Sequence, residues 1–174
     1  MEVIDNFLDE KVFLDFKNKI FSEEFPWYWC DNTIDKKDNP TCNELDNYQL
    51  IHNFYYYNMP VSDNMELLNP VLDRLSIMPW NCIKVKLNAT TRTQKIVEHG
   101  FHIDVLLNVK TAVFYLNTND GYTLFEDGTK VDSVENRIVI FDSNIRHTGT
   151  TCTDQKKRVV LNLNYYPQPL DIFD

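Results

Sequence analysis

His99-Gly100-Phe101-His102-Ile103-Asp104, followed by Arg146-His147-Thr148-Gly149 and Arg158-Val159-Val160-Leu161-Asn162, sets out residues 99–166 as the part of the chain that the remainder serves. His102 and Asp104 are two apart, and on a β-strand side chains at that spacing leave the same face. An imidazole and a carboxylate are thereby brought together. A distal His147 adds a second imidazole. Two imidazoles and one carboxylate on one side of a divalent ion leave its other positions open for small molecules. Arg158, eleven residues past His147, adds a fixed cation deeper in the same cavity. A lone His-x-Asp pair arises often by chance, so the order of the parts carries the weight. His147 comes just after an apolar strand (137–141) and its Asp142-Ser143-Asn144 turn, and Arg158 falls near the start of the last strand. In a two-sheet sandwich this order predicts His102 and Asp104 on one strand, and His147 and Arg158 on two later, adjacent strands.

Around this stretch the pattern is one of strands joined by turns. Cys82-Ile83-Lys84-Val85-Lys86-Leu87-Asn88 alternates apolar and polar residues with period two. A polar loop over 89–98 then leads to His102. Residues 111–116, 123–125, 129–131, 137–141 and 159–165 read as further strands. Asp120-Gly121 marks a turn that uses glycine at positive φ, and Glu126-Asp127-Gly128 marks a second turn. Short strands at roughly ten-residue spacing predict a mainly β sandwich or barrel supported by α-helices, not alternating βαβ units. With four glycines in all, and no G-x-G-x-x-G or G-K-[ST], a phosphate loop is excluded.

The first half of the chain looks like support for that core. After the extended segment Val3-Ile4-Asp5-Asn6-Phe7-Leu8, Asp9 is placed to cap a helix over 10–21, with Val12, Phe13, Phe16, Ile20 and Phe21 on one stripe. Phe25-Pro26-Trp27-Tyr28-Trp29 reads as an aromatic edge segment. Residues 49–57 are β-branched and aromatic and read as a strand; His52 within them has no spaced partner and reads as a packed or surface histidine. A second helix is expected from Ser62 or Asp63 to Leu75, disturbed or restarted at Pro70. The polar segment 31–47 is a candidate lid, and with 89–98 it is expected to shape the substrate pocket.

At 174 residues the chain is read as one domain, with helical support over about 1–80 and a catalytic core over about 81–166. Its apolar content of 43% is that of a globular protein, and no run approaches the ~20 apolar residues of a membrane helix. The start, Met1-Glu2-Val3-Ile4-Asp5, lacks the basic and apolar segments of a secretory signal, so a cytoplasmic location is expected. Cys30, Cys42, Cys82 and Cys152 form no C-x-x-C pair; they read as buried or idle thiols, with a Cys30–Cys42 bridge open. The net charge of −9 disfavours a nucleic-acid substrate, because an acidic surface repels phosphates. Peptides or small metabolites suit it better. Oligomeric state is not legible.

The sequence resembles the 2-oxoglutarate/Fe(II)-dependent dioxygenase superfamily in its prolyl 4-hydroxylase-like branch. His102-Ile103-Asp104, Val113-Phe114-Tyr115-Leu116-Asn117, Gly121-Tyr122-Thr123-Leu124-Phe125, Arg137-Ile138-Val139-Ile140-Phe141, His147 and Arg158-Val159-Val160-Leu161-Asn162 carry the likeness. It spans about residues 82–166, and the amino-terminal start and helix also look like that branch's lead-in. The short acidic chain further resembles oxygenases encoded by bacteriophages, for which the location is the host cytoplasm. The resemblance implies a double-stranded β-helix (a jelly-roll, cupin-like core) with His102, Asp104 and His147 as iron ligands. It implies Arg158 as partner of the distal carboxylate of 2-oxoglutarate, where a guanidinium fork suits two oxygens. Tyr115, Asn88 and Asn162 are candidate contacts of the same cosubstrate. The alternatives are a packed tyrosine hydroxyl at Tyr115 and ordinary packing polarity at Asn162.

Fe(II), 2-oxoglutarate and O₂ are the implied cofactors, with ascorbate as an accessory reductant. The implied reaction hydroxylates an unactivated C–H, a peptidyl proline foremost, with release of succinate and CO₂. Because Asp104 is present where a halogenating relative has Gly or Ala, hydroxylation is expected over halogenation. Arg92, Tyr122 and Arg146 border the expected entrance as candidate substrate contacts, and His99 is expected to stand behind the ligands or in solvent. The competing readings are a non-catalytic cupin-like metal-binding module and an oxygenase of a free amino acid, a small metabolite or a nucleobase.

Overall fold

The computed structural model describes residues 1–34, 43, 45 and 47–167. The proposed lid (31–47) and the Cys30–Cys42 bridge therefore fall largely outside the described residues. The strands among those described are β1 (Glu2–Ile4), β2 (Tyr28–Cys30), β3 (Gln49–Tyr56), β4 (Met59–Pro60), β5 (Cys82–Thr91), β6 (Lys110–Tyr115), β7 (Tyr122–Phe125), β8 (Lys130–Asp132), β9 (Arg137–Asp142), β10 (His147–Gly149) and β11 (Lys157–Tyr165). Two helices, α1 (Glu10–Phe21) and α2 (Asn69–Leu75), precede the core strands. The large sheet runs β1-β9-β6-β11-β5-β3-β2, with β4 paired to β3; the small one runs β10-β7-β8. Every pairing is antiparallel. Two facing antiparallel sheets, mainly β with helices outside, make the expected jelly roll.

Period-two alternation divides the large sheet into two faces. On β11, Val159, Leu161 and Leu163 are fully buried toward the helices, together with Val85, Leu87 and Ala89 of β5 and Ala112 and Phe114 of β6. The intervening residues point toward the small sheet, where Val113, Tyr115, Phe125, Val139, Phe141 and Val160 form a second cluster. Helix α1 closes the first layer with Phe13, Phe16 and Ile20, while Val12 of the same stripe is 37% exposed. Asp9 sits at the N-cap as expected, but without a capping side-chain hydrogen bond. The second helical region is split: a 3-10 turn over Met65–Leu68 hands over to α2, where Pro70 lies in the first turn and needs no amide partner.

Phe114 is the hub of the first layer. Its ring lies 5.3, 5.9 and 6.0 Å from those of Phe7, Phe13 and Phe16. Phe114→Ala should therefore cost about 3–5 kcal/mol, since no side chain can fill the void it leaves. Urea denaturation followed by circular dichroism measures this, and a loss under about 1 kcal/mol would mean that α1 is anchored elsewhere.

His52 is a packed histidine, its Nδ1 2.8 Å from the Pro26 carbonyl oxygen and its Nε2 2.7 Å from Ser62 Oγ. Among the described residues no helix is long and apolar enough to cross a membrane.

Candidate metal centre

His102 does not lie on a regular strand with Asp104, as the spacing predicts. It forms an isolated bridge with His147: its backbone N–H donates to the His147 carbonyl (2.9 Å), and the His147 N–H donates back (3.1 Å). Asp104 follows in a bend. Nor are His147 and Arg158 on adjacent strands, because β10 belongs to the small sheet and β11 to the large one. The polar residues that line an inner cavity interrupt the regular ladder here. The three ligand-type side chains converge from a loop and a sheet.

The geometry that results is a tight cluster. One donor atom from each of His102, Asp104 and His147 can be chosen so that all lie within 4.8 Å of one another. Asp104 Oδ1 is 3.4 Å from His102 Nε2, and Oδ2 is 3.8 Å from His147 Nε2. Each imidazole is held from behind by the carbonyl two residues upstream: His102 Nδ1 is 3.1 Å from the Gly100 oxygen, and His147 Nδ1 is 3.1 Å from the Ile145 oxygen. A carbonyl only accepts, so both Nδ1 atoms carry the proton. Both Nε2 atoms then face Asp104: protonated His102 donates from Nε2 to the carboxylate, and in a neutral ring Nε2 is the atom left to bind a metal, its tautomer and direction fixed by the carbonyl behind Nδ1.

The electrostatics agree with this arrangement. Burial lowers the pKa of His147 against the opposing field of Asp104, so the ring is neutral near pH 7. Burial also opposes the charge on His102, but the hydrogen bond and charge of Asp104 outweigh it and raise that pKa. Asp104 and His147 are the more enclosed side chains, 9% and 5% exposed against 28% for His102. Burial alone would raise the pKa of Asp104; the hydrogen bond with His102 and the fields of His147, His102 and Lys84 hold it well below the usual carboxylate range. Asn164 Nδ2 donates to Asp104 Oδ2 at 3.4 Å and to Thr111 Oγ1 at 2.9 Å, tying the carboxylate to β11 and β6.

The cluster opens into a cavity of about 250 Å³ between the sheets, near the small end of ligand-binding clefts. Its floor is the inward face of β5 and β11: Lys84, Lys86, Asn88 and Thr90 on one strand, Arg158, Val160, Asn162 and Asn164 on the other. Arg158 lies at the far end, 5% exposed. Its Nε donates to Ser133 Oγ (2.8 Å) and its Nη2 to Thr123 Oγ1 (3.4 Å). Among the described residues it has no carboxylate partner. A buried guanidinium met only by hydroxyls is a site for an anion, since its desolvation is otherwise uncompensated. The Oδ1 atoms of Asn88 and Asn162 are buried in the same wall without a hydrogen-bond partner.

The structure places the other sequence candidates as follows. Tyr115 is fully buried beneath the cavity, its hydroxyl donating to Thr123 Oγ1 (2.8 Å) and its ring 5.6 Å from the Arg158 guanidinium. Arg92, Tyr122 and Arg146 are not in the cavity lining. Arg92 Nε donates to the Thr153 carbonyl, the Tyr122 hydroxyl to Glu98, and Arg146 pairs with Glu126. His99 is buried, not exposed, and lines the cavity; burial, then the charges of Arg158 and His102, pull its pKa down to about 4.

Sequence reasoning missed Ser133 and Thr123, which seat Arg158, and the lysines of β5. It also misread Gly121. That residue has no positive φ; it is glycine because a Cβ would come within 2.7 Å of Arg158 Cδ and 2.6 Å of the Thr151 carbonyl oxygen. Gly128, at φ +88°, is the true positive-φ turn.

No family model matches the chain, and no curated protein is similar to it in sequence. Solved structures are. A prolyl hydroxylase from Trichoplax adhaerens, determined with a hypoxia inducible factor peptide fragment, has a TM-score of 0.60 over 95% of this chain and 83% of that one, at 16% identity. A 2OG-Fe(II) oxygenase family oxidoreductase from Burkholderia pseudomallei has a TM-score of 0.58 over 91% and 79%, at 12% identity. A Pseudomonas putida prolyl-4-hydroxylase gives 0.55 over 95% and 91%, also at 12% identity. At these identities the likeness is one of fold: this chain is built on the same double-stranded β-helix as those oxygenases.

Proposed function

We propose that the protein is an Fe(II)- and 2-oxoglutarate-dependent dioxygenase that hydroxylates an unactivated C–H, with a prolyl residue in a peptide as the first substrate class to test. The single observation that carries this is the pairing, across one small cavity, of a His-Asp-His cluster with a buried Arg158 that has no carboxylate partner among the described residues. We read 1–174 as one domain in which the helices brace the large sheet. His102, Asp104 and His147 are the residues to hold the iron, since two neutral nitrogens and one carboxylate suit a divalent ion and leave positions open. Arg158 takes the distal carboxylate of the cosubstrate, with Ser133 and Thr123 orienting its fork. Asn88 and Asn162, on the wall between, offer amides to the rest of that molecule. Tyr115 acts through Thr123, because its hydroxyl is already committed there.

Bound iron with 2-oxoglutarate and O₂ supplies the oxidative decarboxylation to succinate and CO₂ and the oxidant that removes hydrogen from the substrate. The chain's own contribution is position and dryness. The Nδ1–H contacts lock both rings, Asn164 holds the carboxylate, and the apolar layer of Val113 and Val160 beneath keeps bulk water from the buried end.

The likeness to a peptide-bound prolyl hydroxylase supports a peptide substrate. Mixing the protein anaerobically with Fe(II) and 2-oxoglutarate should give a weak visible charge-transfer band. Subsequent oxygen with a panel of proline-containing peptides and free amino acids should release succinate, with a product heavier by one oxygen atom. Iron binding without the band would instead mark a non-catalytic metal-binding module.

A further inference from the structure

Lys84 and Lys86 lie on the cavity face of β5, opposite Asn164 and Asn162 of β11 in register. Asn164 is the residue that bonds Asp104. Arg158 pairs in register with Thr90, at the other end of the same two strands. The cavity therefore has two cationic ends with the His-Asp-His cluster reached from both. Among the described residues neither ammonium makes a hydrogen bond or ion pair. Burial, then the charge of Lys84, pull the pKa of Lys86 down to about 8, with Asp104 opposing. Such an ammonium lacks an adequate anion.

The charges of the proposed site already balance without these lysines. Two positive charges of a ferrous ion and one of Arg158 are matched by Asp104 and the two carboxylates of 2-oxoglutarate. His99 adds nothing at neutral pH. Among the described residues two positive charges then remain inside a cavity of a chain whose net charge is −9. Acidic proteins do not keep half-buried lysine pairs in a cleft for general solubility, and a concave cationic wall focuses an anionic ligand.

We propose that Lys84 and Lys86 form the substrate-recognition end of the cavity, and that the substrate carries an anionic group, a carboxylate or a phosphate, beside the carbon that is oxidised. This rests on the dioxygenase reading above and narrows it: the target is a small acid, or a peptide residue flanked by an acidic one.

The test uses the full chain held anaerobically with Fe(II) and 2-oxoglutarate, titrated with methylphosphonate and with propionate by calorimetry while the visible band is followed. The wild type should bind at least one probe with the band retained, and the tighter probe tells phosphate from carboxylate. Lys84→Gln or Lys86→Gln should weaken binding at least about 10-fold, and the double variant about 100-fold, as expected for charge-assisted hydrogen bonds. Lys→Arg at both positions should restore most of it, which separates charge from packing. Absent binding, or equal binding in wild type and double glutamine variant, overturns the proposal. An equal loss of 2-oxoglutarate affinity in the lysine variants also overturns it, because the lysines would then serve the cosubstrate. If the band never forms but lysine-dependent anion binding persists, the dioxygenase reading fails while the lysine site stands.

Discussion

Asp104→Ala should lower Fe(II) affinity by more than about 100-fold and abolish succinate release, while the protein remains folded. Losing a mere supporting partner of a metal ligand typically costs 10–100-fold, and Asp104 is proposed as a ligand itself. Its carboxylate contributes the negative charge of the cluster, with Oδ1 facing His102 and Oδ2 facing His147. Without it the two imidazoles remain hydrogen-bonded to their upstream carbonyls, so their positions survive but the charge complement of a divalent ion does not. The fold should tolerate the change because the main-chain bonds that join His102 to His147 involve no Asp104 atom. Anaerobic calorimetry with Fe(II), beside circular dichroism, measures both halves. Undiminished iron binding would move the metal away from this cluster and remove the basis of the functional reading.

Much of the fold is legible in the residues because burial enforces period. Val159, Leu161 and Leu163 alternate with Arg158, Val160 and Asn162 on β11, and exchanging the faces would drive a guanidinium and an amide into the apolar layer beneath the helices. The stripe of α1 is legible for the same reason. The metal cluster is only half legible. The types and order of His102, Asp104 and His147 can be read, but the assumption that a spacing of two means one strand fails, because the irregular loop is held by a single bridge to His147. Strand β5 runs on to Thr91, three residues past its expected end at Asn88, since Thr90 and Thr91 still pair with Arg158 and Lys157. Polarity alone suggests a loop there, but the β-branched threonines suit a strand and the pairing with β11 carries the ladder through them. The seat of Arg158 is illegible for a different reason. Ser133 and Thr123 come from separate elements of the small sheet side, and nothing local in either marks a hydroxyl aimed across a cavity. Lys84 and Lys86 hide inside an ordinary alternating strand, where lysines on the polar face read as solvated. Only the closure of the second sheet over that face turns them into a cavity wall.

Arg158→Met carries the sharpest test, because its two expected effects have opposite signs. The guanidinium is fully enclosed, and burial lowers its pKa below the ordinary arginine value. It is met by two hydroxyls and no carboxylate among the described residues. In the ligand-free protein that charge is a cost, and an apolar side chain of similar length should be neutral or stabilising, by about 1–4 kcal/mol where buried ionic groups have been replaced this way. A gain at the low end would raise Tm by roughly 2–4 °C for a chain of this size. The same substitution removes a forked donor pair from the cosubstrate carboxylate, each charge-assisted bond worth about 1.5–3 kcal/mol. The affinity for 2-oxoglutarate should therefore fall at least about 100-fold. Thermal unfolding with and without cosubstrate reads both effects together. With the divalent ion present throughout, adding 2-oxoglutarate to one hundred times its wild-type Kd should stabilise the wild type by about 2.7 kcal/mol, and should add under about 0.5 kcal/mol to the variant. If instead the ligand-free variant melts several degrees lower, the contacts from Arg158 to Ser133 and Thr123 are a tie between the two sheets. The arginine would then be structural, its burial a feature of folding, and the cosubstrate would have to be held elsewhere in the cavity.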